Sequence, residues 1–420
     1  MIADLGHEIA PPSTSKNSQA DVALPFVKRL RPKVVIGHPM LGLGGSEAVV
    51  MWLIEALKKD CDVTVVTTGG WDRSKLNEFY GTHAEENEVS VRIASLPWPL
   101  RNRSVAALRG AAYQRFARRI AAEYDVRISA YNLTDWGLPA IHFLADFSWN
   151  KTIRDRIDPP SPGFVYRDSR LRKAYLSLAS AIESPSGRDP LRDDKLIANS
   201  NWTARTVHQD CAVQCATTIY PPVWSEFPDV PWEKKEDSFV MIGRIAPEKQ
   251  VEKAISILSS VRDRGHSIRL HLCGKIEDDA YGRRISSLCQ MHSDWIIPAG
   301  RVTGERKTSL LAGCRYGIQA RSAEPFGISV AEMVKAGAIV FAPHEGGQAE
   351  ILQNPDLLFT GESDAVVKIC RILQTPSMQS MIHSTLRDRA RSFNTERFIS
   401  SIHALTQNEL HEPVIGAQQS

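Results

Sequence analysis

No run of about 18 apolar residues occurs in this chain, so no segment is expected to cross a membrane as a helix. The opening stretch MIADLGHEIAPPSTSKNSQAD holds no apolar centre, which argues against a cleaved secretory leader. Neither charge sign is in excess. The 51 Lys and Arg face 48 Asp and Glu, for a formal net charge of +3. That excludes the global polycation of a nucleic-acid binder. The 7 cysteines (Cys61, Cys211, Cys215, Cys273, Cys289, Cys314 and Cys370) are odd in number and scattered. Cys211 and Cys215 stand close, but no second Cys or His pair accompanies them. Zinc-ligand spacing is therefore missing, and free thiols in a reducing cytoplasm are expected. The acidic clusters Asp193-Asp194 and Glu277-Asp278-Asp279 read as exposed loops, so no essential metal is expected.

What the chain does have is the composition of a globular protein, 43% hydrophobic and 24% charged. Its 420 residues suit two domains of about 200 residues each. Residues 1–30, rich in Ser, Pro and Asn, read as a flexible extension. Order begins at Lys33-Val34-Val35-Ile36-Gly37, followed by the turn LGLGGSE, the helix-like EAVVMWLIEALKK and the apolar run DVTVVTT over 62–68. Strand, turn, helix, strand is a βαβ unit, and buried parallel strands read as continuous apolar runs. VRISAY (126–131) and KLIANS (195–200) extend the series. After the Pro-bearing IYPPVWSEFPDVPW the pattern restarts with SFVMIGR (238–244), RLHLCGK (269–275), RYGIQA and AIVFAP. Two such series imply two doubly wound α/β domains facing a cleft, over 31–215 and 216–395. A last helix, TERFISSIHAL, opens at Thr395 as its expected N-cap.

Three constellations carry chemistry. In Glu324-Pro-Phe-Gly-Ile-Ser-Val-Ala-Glu332, between a strand and a helix, the N–H groups of Gly327 and Ile328 are unsatisfied donors at a helix start, which is an anion site. Glu332 falls on the face of Ile328 and can accept from ribose hydroxyls, or can simply charge the first helical turn. Glu324 in the loop can accept from sugar hydroxyls. In Gly243-Arg244-Ile-Ala-Pro-Glu-Lys249, Arg244 can fork onto phosphate oxygens and Lys249 can add a point charge. In Gly42-Leu-Gly44-Gly45-Ser46-Glu47 the dinucleotide fingerprint is broken by Glu47 where the last glycine belongs, although a ligand can still approach the turn closely.

The order GGSE, GRIAPEK, EPFGISVAE, GGQAEIL resembles the GT-B fold glycosyltransferases of family 4, the large retaining group, over roughly 33–410. The resemblance implies a nucleotide-diphosphate sugar as donor and a glycan or lipid-linked hydroxyl acceptor, with no separate cofactor. Gly44 and Gly45 would border the diphosphate, which Arg244 and Lys249 would hold. Glu324 would bind the donor sugar. Phe326, Gly327 and Ile328 would present backbone to sugar and phosphate, and Glu332 would bind the ribose. Arg301 and Val302 lie where such enzymes hold the base, and Gly243 and Gly274 at strand ends of that domain. His142 lies where many relatives carry a histidine that reaches the transferred sugar, and Asp146 is a weaker candidate. A helix over 396–410 would cross back onto the first domain.

Between Arg101 and Arg119 stand six arginines and no acid, with Trp98, Tyr113 and Phe116 nearby. That segment reads equally as a contact for an anionic membrane surface, an acceptor patch or a solvated helix. Two other functions compete. A Rossmann oxidoreductase is opposed by the missing glycine and by the lack of a suitable acid near residue 65. A non-catalytic sugar-nucleotide binder is opposed by Arg244, Lys249, Glu324 and Glu332 occurring together.

Overall fold

The computed structural model describes residues 31–94, 106–158 and 170–411. The extension over 1–30 and the start of the arginine-rich segment lie outside them. Both sheets described below belong to one compact body that begins at Pro32; the part built on the first sheet is the first unit and the part built on the second sheet is the second unit.

The first sheet has seven strands in the order β3-β2-β1-β4-β5-β6-β7. They are β1 (Lys33–Gly37), β2 (Asp62–Thr67), β3 (Val89–Ile93), β4 (Val126–Ser129), β5 (Ile141–Leu144), β6 (Lys195–Ala198) and β7 (Thr217–Thr218). The second has six, in the order β10-β9-β8-β11-β12-β13. These are β8 (Glu236–Ile242), β9 (Arg269–Cys273), β10 (Ile296–Gly300), β11 (Cys314–Ile318), β12 (Ile339–Pro343) and β13 (Leu358–Phe359). Every pairing is parallel. The central strands are the continuous apolar runs. In β2 every residue after Asp62 is buried, and all of β12 is. Helices on both faces demand this, because no face of such a sheet meets water.

Each sheet reverses its strand order once, between β1 and β4 in the first and between β8 and β11 in the second. Ligands of open α/β sheets bind beyond the carboxyl ends of the strands at such a reversal. The segments leaving those four ends are His38–Gly44, Ala130–Asn132, Gly243–Lys249 and Gln319–Gly327. All three chemical motifs read from the sequence therefore leave a switch point.

The first sheet runs past the expected boundary at 215, since β7 pairs with β6 through Ile197–Thr217 and Ala198–Thr218. Chain order and packing part company at the end of the chain. The helix Thr395–His411 buries Phe398, Ile402 and Leu405 in the first unit's core, among Val50, Leu53 and Ile54 of the helix Gly45–Leu57. His403 Nε2 meets the Ala56 carbonyl at 2.6 Å, and Lys195 pairs with Glu409. Asn394, rather than Thr395, caps this helix, accepting from Arg397 N at 3.0 Å. Asn and Thr are both good caps, and Asn394 alone stands in the extended, non-helical position (φ −77°, ψ 166°) that a cap requires.

Candidate active site

Gly327 adopts φ 99°, a left-handed conformation that favours glycine, and from it the helix Ile328–Lys335 departs. The loop before the helix is held from beneath. Fully buried Gln348 donates through Nε2 to the carbonyls of Arg321 (2.9 Å) and Glu345 (3.1 Å), and Gly347 N donates to Glu324 O at 2.8 Å. Glu324 is thereby fixed, and two cations meet it. Lys249 Nζ lies 2.7 Å and Arg321 Nη1 3.4 Å from the same oxygen, Oε2. Burial pushes the Glu324 carboxyl up, but Lys249 and Arg321 outweigh burial and hold it below its ordinary value.

The glycine-rich turn of the first unit faces this helix start. A methyl group on Gly45 would lie 2.7 Å from Ile328 Cδ1, the movable tip of that side chain, so the turn packs directly against the helix start. Tyr80 braces the turn by donating its hydroxyl to Gly44 O and accepting from Gly44 N, each at 2.8 Å. The two units also meet below the cleft. Glu350, in the GGQAEIL segment, accepts from Asn201 N at 3.0 Å and Trp202 N at 2.5 Å. A carboxylate of the second unit thus caps the helix Asn201–Cys211 of the first, satisfying its free donors and its dipole.

Glu332 is buried and its Oε1 is already taken by Lys307 Nζ at 2.5 Å and the Ser225 hydroxyl at 3.3 Å. Lys307 is itself 5.4 Å from the Trp224 ring, which packs on Tyr80 of the first unit at 5.0 Å. Backbone hydrogen bonds from Gly243 to Cys273 and from Gly274 to Gly300 align neighbouring strand ends of the second sheet. Val302 is buried beside them, and the exposed Arg301 reaches over Phe79, 5.9 Å from the ring.

Two expected residues stand apart. Arg244 is 78% exposed and pairs with Glu248 at 3.0 Å, without joining Lys249 and Glu324. Exposed on one turn, it takes the nearest carboxylate. His142 does not reach the cleft. It is fully buried near the amino end of β5, with Nε2 3.0 Å from Asp194 Oδ2. In the parallel register it stands beside Ser129, the last residue of β4, with its buried ring taken by Asp194 at the entry to β6 rather than open to a ligand.

The sequence reading passed over another histidine. His38 leaves β1 at the carboxyl end, is 3% exposed, and lies 3.2 Å from Ser46 Oγ. Ser46 spends its proton on Glu47 Oε2 at 2.9 Å, so His38 Nε2 is the donor to Ser46. Burial drives its pKa from 6.5 down to about 4, against the pull of Glu47 and the Met40 backbone. The native state then takes up this proton only near pH 4, whereas the unfolded chain takes it up near 6.5. Stability is fully present above 6.5 and falls as pH drops towards 4, by about 2 kcal/mol between pH 6.5 and 5. Urea unfolding at several pH values should show this slope in the wild type and a flatter one in His38→Gln; equal slopes would contradict it. Arg321 and Lys307 were also passed over. Arg321 stood three residues before Glu324 and could have been noticed. Nothing in the sequence around Lys307 points to Glu332.

Among the described residues, no cluster of three or more His, Cys, Asp or Glu side chains is placed to hold a metal ion. Nor is any helix of these residues long and apolar enough to cross a membrane.

Residues 223–388 match the family described as Glycosyl transferases group 1. The fold is that of GT-B glycosyltransferases. Sucrose-phosphate synthase from Thermosynechococcus elongatus superposes with a TM-score of 0.65 at 17% identity, over 91% of this chain and all of that one. Anabaena HepE in complex with UDP-glucose gives 0.62 at 15% identity, over 90% of this chain and all of that one. The part of the chain that matches the glycosyl transferases group 1 family is thus the one built on the second sheet of a GT-B fold. Among curated relatives, the mouse (Mus musculus) GDP-Man:Man(3)GlcNAc(2)-PP-Dol alpha-1,2-mannosyltransferase is 26% identical over 202 residues, 44% of this chain and 41% of the relative. The match spans about two fifths of the relative's length. These findings displace the oxidoreductase alternative.

Proposed function

We propose that the protein is a retaining family 4 glycosyltransferase that moves a hexose from a nucleotide-diphosphate sugar to a hydroxyl of a lipid-linked or polymeric glycan. The observation that carries this reading is the convergence of Lys249 and Arg321 on Glu324, beside the Gly327–Ile328 helix start and opposite Gly45. A fixed carboxylate for sugar hydroxyls, cations and free N–H groups for a diphosphate, and a close-packed turn across the cleft are what such a transfer needs. The donor is held by the second unit, and the acceptor by the first together with the helix over 396–410.

The bond from anomeric carbon to phosphate oxygen breaks as the acceptor oxygen bonds to the same face of the sugar. The acceptor's proton passes to the departing phosphate oxygen. Arg244, swinging from its exposed position, Lys249 and the helix start stabilise the charge on the diphosphate. Glu324, Phe326 and Gly327 hold the sugar, Glu332 and Lys307 the ribose, and Arg301 and Val302 the base. No metal or other cofactor takes part. The reaction is placed in the cytoplasm, at the inner membrane face that presents lipid-linked acceptors. There the exposed Arg115 and Arg119 of the helix Ala106–Ile120 provide a peripheral contact with anionic lipid.

The mannosyltransferase relative makes GDP-mannose the first donor to test, with UDP-glucose the second. A donor present at a hundred times its dissociation constant stabilises by about 2.7 kcal/mol, which a thermal-shift screen detects. No shift with any nucleotide sugar, together with no donor hydrolysis, would overturn the proposal. Glu332→Ala is expected to weaken free nucleotide binding, and Glu324→Ala to lower the transfer rate at nearly unchanged nucleotide affinity. Calorimetry with GDP or UDP separates the two; equal losses would contradict the division.

A further inference from the structure

Asp158 follows the helix Lys151–Ile157, whose Ile153 is buried with Leu144, Phe147, Leu196 and Val207 of the first unit. First-sheet packing thus places this carboxylate, yet its partner belongs to the second unit. Arg321 Nη2 donates to Asp158 Oδ1 at 2.7 Å, while Nη1 of the same guanidinium lies 3.4 Å from Glu324 Oε2. The Arg321 backbone is held at both ends, its N–H 3.3 Å from Gln319 Oε1 and its carbonyl 2.9 Å from Gln348 Nε2. Only the side chain is left to adjust. It is 12% exposed, and its buried Nε has no partner among the described residues. Because Lys249 and Arg321 share Oε2, no hydrogen bond reaches Glu324 Oε1 among the described residues.

A guanidinium beside a carboxylate prefers the two-pronged pairing in which both oxygens are filled. Asp158 prevents it by drawing one prong away. We infer that Asp158 and Arg321 are positioning residues that couple closure of the two units to the donor-sugar site. In the closed form, Asp158 holds Arg321 to one oxygen of Glu324 and leaves Oε1 for a sugar hydroxyl. When the units separate, Arg321 loses Asp158 and turns both prongs onto Glu324, which masks the sugar-binding oxygen. The donor sugar is then gripped only in a closed cleft, which limits wasteful hydrolysis of the donor. This inference rests on the reading of Glu324 as the ligand of the donor sugar.

The test compares GDP with GDP-mannose, and UDP with UDP-glucose, by calorimetry on the full chain, with steady-state turnover alongside. In the wild type the sugar adds affinity over the bare nucleotide. Asp158→Asn should cut that added affinity about tenfold and lower kcat, with nucleotide affinity unchanged. Asp158→Glu should restore both. Arg321→Lys, introduced into Asp158→Asn, should recover part of the added affinity, because an ammonium cannot fork across both oxygens. A merely structural ion pair would give the opposite result, a double variant worse than the single one. Wild-type behaviour in Asp158→Asn, or an equal loss of bare-nucleotide affinity, would overturn the inference while leaving the proposed function standing. A wild type that binds no sugar nucleotide would overturn both.

Discussion

Turnover of Lys249→Ala is expected to fall by about 10²–10³-fold, equivalent to about 3–4 kcal/mol of transition-state stabilisation, with little change in melting temperature. The ammonium group lies 2.7 Å from Glu324 Oε2 in a side chain that is 16% exposed. It stands where the departing diphosphate gains charge, and the shielded cleft makes such a contact worth far more than it would be in water. Removing it also leaves Glu324 with Arg321 as its one remaining cation. Arg244→Ala is expected to lower turnover as well, although that side chain has further to travel. Single-turnover rates and calorimetric nucleotide affinities for both variants check the assignment; near-normal turnover in either would remove that residue from the diphosphate site.

A chain ending at Asn394 should lose both stability and activity, the larger effect of the two. It lacks the helix Thr395–His411, whose Phe398, Ile402 and Leu405 are at most 8% exposed and whose Ile399 packs beside them. Burying four such side chains contributes about 6–12 kcal/mol before the entropy of ordering is subtracted. A whole domain is commonly stable by about 5–15 kcal/mol, so the first unit would be left marginal. The helix Gly45–Leu57, which carries Gly45 to the cleft, would also lose the surface it rests against. A lower melting temperature and weak turnover are expected, though the truncation removes no proposed ligand contact. Full activity with an unchanged melting temperature would show that the helix is dispensable.

How much of this was legible in advance depended on how local its cause is. The central strands were readable because burial on both faces forces an unbroken apolar run, as in DVTVVTT and AIVFAP. The edges were not. β7 and β13 have two residues each, and β10 shows an exposed IIPAG pattern, so hydrophobicity does not mark them. β5 was hidden inside GLPAIHFLADFSW, and missing it left His142 without a strand to belong to. Once β5 is in place, His142 belongs to a buried strand, level with Ser129 and Gly37, whereas His38 lies just past the end of β1.

The sequence by itself determined two βαβ series, three loops able to meet an anionic ligand and a last helix. Each follows from residues a few positions apart, where backbone geometry decides what is adjacent. Only the tertiary structure decided which carboxylate meets which cation. Glu324 takes Lys249 from 75 positions away, Glu332 takes Lys307 from 25, and Asp158 takes Arg321 from 163. The physical reason is that Coulomb attraction acts through space and burial selects the partner. Short-range pattern sees neither, so it picked out Arg244 as a phosphate ligand and gave no sign of Arg321, the guanidinium that meets Glu324.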